Sequence, residues 1–468
     1  MLNYFPKYFS NRAIALYFAV LLACFIVFFQ HSMKWYFYIF GIVSVVGFFY
    51  FSNYFTTKWK NISVKKFTQN LFIYALVIRF IWVIFSYFFY IQQTGIPFEW
   101  ETADAWGYNQ CGTEIAAHLR EGNWSIFSVY LQIFGPADTG YISYLGVLYY
   151  LVDDSILITR ILKALLSAFM CVLIYKLTTR NFGESTGRIA GVLSMLMPHF
   201  IYYCSMHLKE TEMIFLAVAF VERADYLLRS KKFNFINIAI PLLLAFTLFF
   251  FRTVLGVAAL MAFFTAIVFS SEKVVGWGKR ILVGIWIVAI VGYFFGGRIA
   301  TEVEEVWEGK DENQQTSMQY RATKGNTFAE YGSVAIFAPM IFAAPFPTVI
   351  NIDTQKNMMM MNGSNFVKNI TAFFTMLGIF LLIYRNQWRE HLLILSFLVS
   401  YLVVIAMSAF AISERFHLPS VPFALIIASY GISQMDNQKK KYFNYWTILI
   451  FFIIIGWSWF KLAGRGWI

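Results

Sequence analysis

Residues 70–91 (NLFIYALVIRFIWVIFSYFFYI) form an apolar run that ends shortly before a polar segment, residues 99–108 (EWETADAWGY). The run is long enough to cross the hydrocarbon core of a bilayer as a helix, because about 20 apolar residues suffice. The polar segment carries three acids, Glu99, Glu101 and Asp104, together with three aromatic side chains. This order predicts a membrane-spanning helix that delivers carboxylates to the bilayer surface, where water and a polar molecule can meet the lipid.

The composition of the whole chain is that of a membrane protein. Hydrophobic residues make up 59% and charged residues 13% of its 468 residues, which leaves too little polar surface to cover a soluble globule. The net charge is +12, and the basic residues fall mostly in short loops between apolar runs, which is the positive-inside pattern, so no nucleic-acid partner is expected. The four cysteines lack metal-ligand spacing and are expected to be small buried residues rather than disulfide partners.

Apolar runs recur along the chain, and about thirteen of them are predicted to span the membrane. We therefore expect an all-α polytopic membrane protein in which residues 1–468 form a single integral membrane domain. The first run, residues 13–31, lacks the small-residue cleavage site of a removable signal peptide and is expected to stay as an anchor. The lysine-rich loop 58–66 marks the cytoplasmic side, which also places the N-terminus there.

Two long loops are predicted on the non-cytoplasmic side, residues 92–154 and residues 298–365. The first contains eight acids and a single arginine or lysine, Arg120. Within the second, the weakly apolar and proline-containing residues 333–350 are expected to be re-entrant or interfacial. Further ionisable residues are predicted to reach the same side from other spans. Any helix end that faces water collects charges, but the clustering of so many on one side indicates a site.

Three basic residues lie within predicted spans. Arg79 is near the middle of its span, where a basic side chain costs roughly 2.5 to 3.5 kcal/mol on insertion scales, so it needs a partner or a wet cavity. Arg160 and Lys163 are one helical turn apart near the outer end of their span and share one face of it. They are candidates for holding an anionic phosphate. The alternative for Arg79 and Arg160 is a buried ion pair with an acid of the outer loop.

Residues 103–109 (ADAWGYN), 140–145 (GYISYL) and 158–166 (ITRILKALL) resemble sequences of the polyprenyl-phosphate-sugar-dependent glycosyltransferases of the glycosyltransferase C superfamily. The chain is most similar to the family 39 protein mannosyltransferases and the bacterial lipid A aminoarabinose transferases. The resemblance covers most of the chain. Its further patterns are residues 181–183, 197–199, 205–210, 251–253 and 414–423.

The resemblance implies an active site in the first outer loop, with Asp104, four residues before Tyr108, as its acidic residue. Many relatives carry an adjacent acidic pair, whereas Glu101 and Asp104 are separated by two residues, and two additional spans precede the loop here. The implied reaction transfers a sugar from a polyprenyl-phosphate-linked donor to a glycan, lipid or protein acceptor. The implied location is a bacterial inner membrane, with the active site facing the periplasm or exterior and in contact with membrane lipids.

The residue types fit this reaction. An acceptor hydroxyl or amine must lose its proton as it attacks the anomeric carbon, and a carboxylate within hydrogen-bond reach serves as the base. Asp104 is the candidate base, with Glu101 as the second catalytic carboxylate; the alternative is that Asp104 caps a helix that begins at Ala105. The lipid phosphate that leaves gains negative charge, which arginine donors or a metal stabilise. The predicted substrate-binding residues are Tyr108, Arg160, Lys163, Lys209, Glu210, Arg252, Arg415 and His417.

Aromatic and metal-binding roles are open at this point. Trp100 and Trp106 either stack on a sugar or anchor the chain at the membrane interface. A divalent cation, Mg²⁺ or Mn²⁺, is a candidate cofactor, and Asp104 with Glu210 would be its ligands because hard oxygen donors suit these ions. Ligation by His199 and His207 together with Glu210, with His417 joining them, is the less favoured version, since a histidine at a helix end is more often solvated or hydrogen-bonded.

Two other classes of protein fit the same composition. A multi-pass transporter of lipid or solute would accommodate many spans and intramembrane arginines, but transporters tend to contain internal repeats, and the sequence has no convincing repeat. A polymerase or ligase of surface polysaccharide would use the same lipid carrier and the same face of the membrane, and would differ in its acceptor.

Overall fold

The computed structural model describes residues 2–230, 234–276, 340–407 and 413–468, together with Gly278 and Gly284. Every regular element in these ranges is helical, which confirms the all-α prediction for the described part of the chain. The chain divides into two compact units. One, here called the terminal unit, consists of Met1–Asn53 and Met261–Ile468, and the other, the central unit, is Tyr54–Leu260.

The α-helices range in length from four to 31 residues. In the first part of the chain they are α1 (Lys7–Val27), α2 (Trp35–Lys58), α3 (Val64–Thr94), α4 (Ala103–Arg120), α5 (Ile126–Phe134), α6 (Pro136–Val152), α7 (Ile156–Phe182), α8 (Glu184–Leu196), α9 (Pro198–Tyr203), α10 (Glu210–Arg229), α11 (Phe235–Phe251) and α12 (Thr253–Phe269). Further along they are α13 (Lys356–Met360), α14 (Asn362–Tyr384), α15 (Leu392–Ala406), α16 (Glu414–His417), α17 (Val421–Ser433) and α18 (Asn437–Ala463).

Within the described ranges, seven helices are long and apolar enough to span a membrane. They are α1, α2, α3, α7, α14, the segment Glu414–Ser433 that joins α16 to α17, and α18. The protein is therefore a helical membrane protein. Another of the predicted spans, the apolar run 281–297, lies outside the described residues apart from Gly284. So do residues 298–339 of the second predicted outer loop, which include the first part of 333–350. Residues 340–350, the remainder of that piece, contain no α-helix.

The apolar run 187–206, one of the roughly thirteen spans predicted from the sequence, is not a single helix. Helix α8 ends at Leu196, Met197 adopts an extended conformation (φ −61°, ψ 114°), and the short helix α9 begins at Pro198. Proline lacks a backbone N–H, and its ring disfavours the helical conformation of the residue before it. The break therefore follows from Pro198.

The first predicted outer loop folds into three helices, α4, α5 and α6. Helices α4 and α6 pack closely, since a Cβ added to Gly112 would lie 2.9 Å from Cβ of Leu145. Together with α5 the helices enclose an apolar core that includes Ile115, Leu119, Ile126, Tyr130 and Ile142. The carboxylates of this region are thus carried on a packed helical layer.

The central unit separates its polar groups into two ends. At one end, Nη1 of Arg188 donates to the carbonyl of Trp59 (2.7 Å), and Arg180 pairs with Glu222 (2.5 Å) and Asp225 (3.1 Å). These contacts bring together basic loops that were predicted to share the cytoplasmic side. The opposite end carries the start of α7 and the loop between α9 and α10. Which end faces the cytoplasm stays a prediction.

The terminal unit has the same kind of division. The N–H of Leu2 donates to the carbonyl of Ser433, Nη1 of Arg385 donates to Gln434 (2.9 Å), and Nζ of Lys439 donates to the carbonyl of Gln434 (3.0 Å). At the other end, the N–H of Asn351 donates to the carbonyl of His31 (2.7 Å). The N-terminus and the predicted inner loops of this unit therefore lie together.

Candidate functional site

Arg160 lies in the second turn of α7, a helix that Ser155 caps by accepting a hydrogen bond from the N–H of Ile158. Its side chain is completely buried. Nη2 donates to the carbonyl of Pro97, and the guanidinium faces the ring of Tyr87 at 6.0 Å. In the part of the chain that the structure describes, Nε and Nη1 have no hydrogen-bond partner. The guanidinium thus has hydrogen-bonding capacity that the protein leaves unused.

Glu99, two residues after Pro97, is the acid that interacts with Arg160. Its side chain is buried, and its charge acts electrostatically on the guanidinium. Arg160 therefore interacts with an acid of the outer loop, as the alternative predicted, through the charge of Glu99. Glu99 was quoted with the polar segment but was not predicted to be a site residue, and only its burial distinguishes it from Glu101.

Lys163, one turn after Arg160, is also completely buried. Its Nζ lies 3.2 Å from a carboxylate oxygen of Glu212 and 3.3 Å from the hydroxyl of Tyr141, and it donates to the carbonyl of Leu208. Its acid partner thus belongs to the first turn of α10 and not to the outer loop. Sequence spacing gives no signal for a pair that is made across two helices.

A second polar group forms around Asp138, in the first turn of α6. Nζ of Lys209 forms an ion pair with this carboxylate and donates to the carbonyl of Ala137 (3.1 Å), and the hydroxyl of Tyr108 donates to Oδ1 of Asp138 (3.0 Å). The charge of Arg252 also acts on Asp138. Three predicted substrate-binding residues, Tyr108, Lys209 and Arg252, therefore meet at an acid that the sequence did not single out. Glu210, buried at the start of α10, adds its charge beside Lys209.

The ionisation of this group follows from burial and charge. Burial raises the pKa of Asp138, but the charge and hydrogen bond of Lys209 outweigh this and hold the pKa below its usual value. Burial lowers the pKa of the Lys209 ammonium, and the charge of Asp138 opposes that shift. Asp138 is thus an ionised carboxylate at neutral pH.

The two candidate catalytic carboxylates are exposed near the start of α4. The helix begins at Ala103 after Thr102, so the alternative that Asp104 caps a helix beginning at Ala105 is wrong. Asp104 lies in the first turn, where the helix dipole stabilises a negative charge, one turn before Tyr108 on the same face. Glu101 has a φ of 62°, in the left-handed region that residues other than glycine rarely adopt.

The two tryptophans of the polar segment differ in position. Trp100 is buried, with its ring 5.5 Å from that of Tyr90 and perpendicular to it, so it neither stacks on a ligand nor faces lipid. Trp106 is 44% exposed and packs edge-on against Phe98 at 6.0 Å. Both proposed roles therefore apply only to Trp106.

His207 joins this region from the loop between α9 and α10. It is completely buried, its Nε2 lies 3.2 Å from the hydroxyl of Tyr149, and that hydroxyl donates to Oδ1 of Asn109 (2.7 Å). Burial, followed by the charges of Lys163 and Arg160, holds the pKa of His207 well below its usual value. It is therefore a neutral residue that links the loop to α4 and α6.

The remaining predicted residues, Arg415 and His417, belong to the terminal unit. His417 is buried, with Nδ1 2.8 Å from Nζ of Lys368, and Arg415 is half-buried on the short helix α16. His417 is thus held beside a buried lysine of the same unit.

Within the described residues, no three His, Cys, Asp or Glu side chains come together as a group that could hold a metal ion. A cation held by Asp104 and Glu210 stays a prediction. No protein-family model and no curated protein matches this chain.

Proposed function

We propose that the protein is a membrane glycosyltransferase. It transfers a sugar from a polyprenyl-phosphate-linked donor to a glycan, lipid or protein acceptor at the non-cytoplasmic face of a bacterial inner membrane. In this proposal the chain has about thirteen spans arranged as in the glycosyltransferase C superfamily. The observation that carries the proposal is the buried guanidinium of Arg160, two of whose nitrogen atoms have no hydrogen-bond partner in the described residues.

The donor phosphate supplies what this guanidinium needs. A buried charge with unused donors is costly unless an anion or acceptor completes its hydrogen bonds. A phosphate oxygen is a strong acceptor for arginine, and its negative charge grows as the sugar leaves. Lys163, one turn further along α7, adjoins this site, with its own charge paired with that of Glu212. Glu99 balances part of the charge of Arg160 while the site is empty.

The carboxylate base acts from the start of α4. Asp104 is exposed, so an acceptor hydroxyl or amine can reach it, and it takes the proton as the acceptor attacks the anomeric carbon in an inverting-type displacement. Glu101 is the second carboxylate. Tyr108, Lys209, Glu210 and Arg252 offer hydrogen bonds to the sugar around Asp138.

A transporter is less well supported. The intramembrane Arg79, which favoured that class, is bound by Ser167 Oγ (2.7 Å) and by the carbonyls of Ala75, Ser194 and Met195 (3.1, 3.3 and 3.1 Å). Its donors are thus used to hold α3 against α7 and the end of α8. A polysaccharide polymerase or ligase differs from the proposal only in its acceptor.

The first prediction tests the donor site. Purified protein is expected to transfer a radiolabelled sugar from a polyprenyl-phosphate donor, and Arg160→Met should weaken donor binding about ten- to a hundredfold, because one charge-assisted contact is worth roughly 1.5 to 3 kcal/mol. Arg160→Lys should restore only part of it, since lysine lacks the two-pronged donor geometry. The matched control is Arg223→Met, since Arg223 is half-exposed on α10 and pairs with Glu222, at the opposite end of the unit.

Absence of transfer with several donors, together with counterflow of a labelled solute in liposomes, would establish transport instead. Chelation by EDTA in the same assay separates metal-dependent from metal-independent transfer.

A further inference from the structure

Helix α5 exposes apolar side chains although it is too short to span a membrane. Its nine residues include no charged side chain. Ile126 and Tyr130 lie on one face and pack into the core shared with α4 and α6, and Phe134 stacks on the ring of Tyr130 at 5.6 Å. Beside that face, Val129 and Ile133 are one turn apart and are 43% and 66% exposed. This pair is here called the apolar edge of α5.

The position of α5 relative to the membrane follows from the helices around it. Lys163 and Glu212 pair near the starts of α7 and α10. Arg180 and Glu222 pair toward the ends of the same two helices. The two helices therefore run in the same direction, and their starts lie together at one end of the central unit. Because α7 is long and apolar enough to span a membrane, that end of the unit lies at a membrane surface.

Helix α6 lies across this end of the unit. In its first turn, Asp138 pairs with Lys209, which directly precedes α10, and the charge of Arg252, which directly follows α11, also acts on Asp138. At its other end, α6 stops at Val152, shortly before α7 begins at Ile156. Both ends of α6 are thus held at the starts of α10 and α7, although the helix is roughly 25 Å long. It therefore runs along the membrane surface and not away from it.

Helix α4 lies at the same level. Near its start, Trp106 packs edge-on at 6.0 Å against Phe98, which follows the end of α3. Near its end, Nη2 of Arg120 donates to the carbonyl of Tyr149 (3.0 Å) and pairs with Asp153 (3.2 Å), directly after α6. Since α5 packs against both α4 and α6, it also lies where α3 and α7 leave the membrane. The headgroup region is roughly 5 to 8 Å thick on each side and a helix roughly 10 to 12 Å wide, so a helix lying flat there borders the acyl chains.

We propose that α5 is an interfacial helix whose apolar edge inserts into the lipid leaflet on this side of the membrane. A helix that lies flat at this level has water on one side and lipid on the other. Helix α5 offers side chains for both, because the exposed Ser128 and Gln132, one turn apart, form a polar stripe next to the apolar edge. Trp124, two residues before the helix, is 63% exposed and is of the residue type that anchors proteins at membrane interfaces.

The contact is made by apolar side chains, so it requires no particular lipid headgroup. The inference depends on the position of α5 and not on the proposed glycosyl transfer, and neither experiment below uses a sugar donor.

The first experiment places a fluorophore on either stripe of α5 in the full-length protein. Ile133→Cys and Gln132→Cys are made separately in a Cys111→Ser background, because the other native cysteines are buried. Each variant is labelled with an environment-sensitive maleimide dye and inserted into phosphatidylcholine nanodiscs with or without doxyl groups on the acyl chains. Doxyl lipid is expected to quench the dye at position 133 about twofold more than the dye at position 132, and dissolved iodide should give the opposite order.

Two outcomes of this experiment would overturn the proposal. Equal quenching at both positions would show that the apolar edge faces the same medium as the polar stripe. A dye at position 133 that neither quencher reaches would show that protein, and not lipid, covers the edge.

The second experiment uses the protein without substitution, so it stands if a labelled variant fails to fold. A phosphatidylcholine with a photoreactive diazirine near the start of one acyl chain is included in the nanodiscs, and crosslinked residues are identified by peptide mass spectrometry. Crosslinks are expected at Val129 and Ile133 and not at Ser128 or Gln132. The positive control is Phe88, which is 63% exposed near the end of α3. Crosslinks at Phe88 with none in α5 would contradict insertion of the apolar edge.

Discussion

Asp104 is the residue whose substitution separates catalysis from folding most cleanly. Because α4 begins at Ala103, Asp104→Asn removes the proton acceptor without removing a helix cap. Turnover is expected to fall roughly 100- to 10,000-fold. The free energy of unfolding should change by less than about 1 kcal/mol, the usual worth of a carboxylate near a helix N-terminus. Sugar transfer and thermal unfolding of the purified variant measure the two effects.

Glu101→Gln is the matched control for Asp104, because Glu101 lies three residues earlier in the same segment and is also exposed. If Glu101→Gln abolishes transfer while Asp104→Asn leaves it intact, Glu101 is the base. If both variants keep full activity, the carboxylates of this segment do not take part in the reaction.

The ion pair of Asp138 and Lys209 predicts a pH dependence. The pKa of Asp138 in the folded protein lies below its usual value, so the ionised form contributes stability at any pH above the unfolded value, about 3.9. That contribution is lost as the pH falls through the folded value. The unfolding temperature should therefore decrease below about pH 4. In Asp138→Asn the decrease should be smaller, whereas Glu121→Gln, an exposed acid of the same layer, should behave like the parent. Identical acid profiles for Asp138→Asn and the parent would contradict the assignment.

At the level of single residues, the sequence identified which charges are unusual but not what they touch. Arg79 was correctly expected to need partners, and its partners are carbonyls of α3 and α8 rather than an acid. The carbonyls of Ser194 and Met195 are available because α8 ends at Leu196, which leaves the last carbonyls of the helix without partners within it. Asp138 and Glu212 were missed because their basic partners are distant in the sequence. Lys209 lies 71 residues after Asp138, and Lys163 lies 49 residues before Glu212.

At the level of helices, apolar length predicted each of the seven described helices that are long and apolar enough to cross a membrane, since hydrocarbon thickness sets that length, and the other predicted spans stay predictions. Pro198 was visible in the sequence, but a proline within an apolar run is compatible with either a kink or a break. The packing of the first outer loop into α4, α5 and α6 was not predicted, because its polar composition resembles that of an irregular loop. Close packing between two helices depends on which of their glycines face each other. The positions of the glycines in the sequence do not predict this.

Helices α14 and α17 cross at two such glycines. A Cβ added to Gly378 would lie 2.5 Å from the carbonyl oxygen of Ile427, and one added to Gly431 would overlap the backbone of Phe374. Gly378→Ala is therefore expected to cost about 1 to 3 kcal/mol through overpacking. Gly456→Ala is the matched control, because nothing lies within 4 Å of its added Cβ on α18, and alanine should favour that helix by up to about 1 kcal/mol. Thermal unfolding in detergent compares them, and equal effects would contradict the crossing.

For the whole molecule, the charge pattern predicts which ends of the helices face the cytoplasm, and this orientation can be measured separately in each unit. The central unit offers Asn123 near α4 and Lys65 at the start of α3, and the terminal unit offers Thr354 before α13 and Lys441 on α18; all four side chains are exposed. Cysteine at position 123 or 354 should react with an impermeant maleimide in intact cells, and cysteine at 65 or 441 should react only after permeabilisation. Of the native cysteines, only Cys111 is not buried, so the cysteine substitutions are made in a Cys111→Ser background.

Labelling of cysteines at 65 and 441 but not at 123 and 354 would place Asp104 and Arg160 at the cytoplasmic face, where they would act on substrates from the cytoplasm. Agreement in one unit and reversal in the other would show that the basic loops do not all lie on one side.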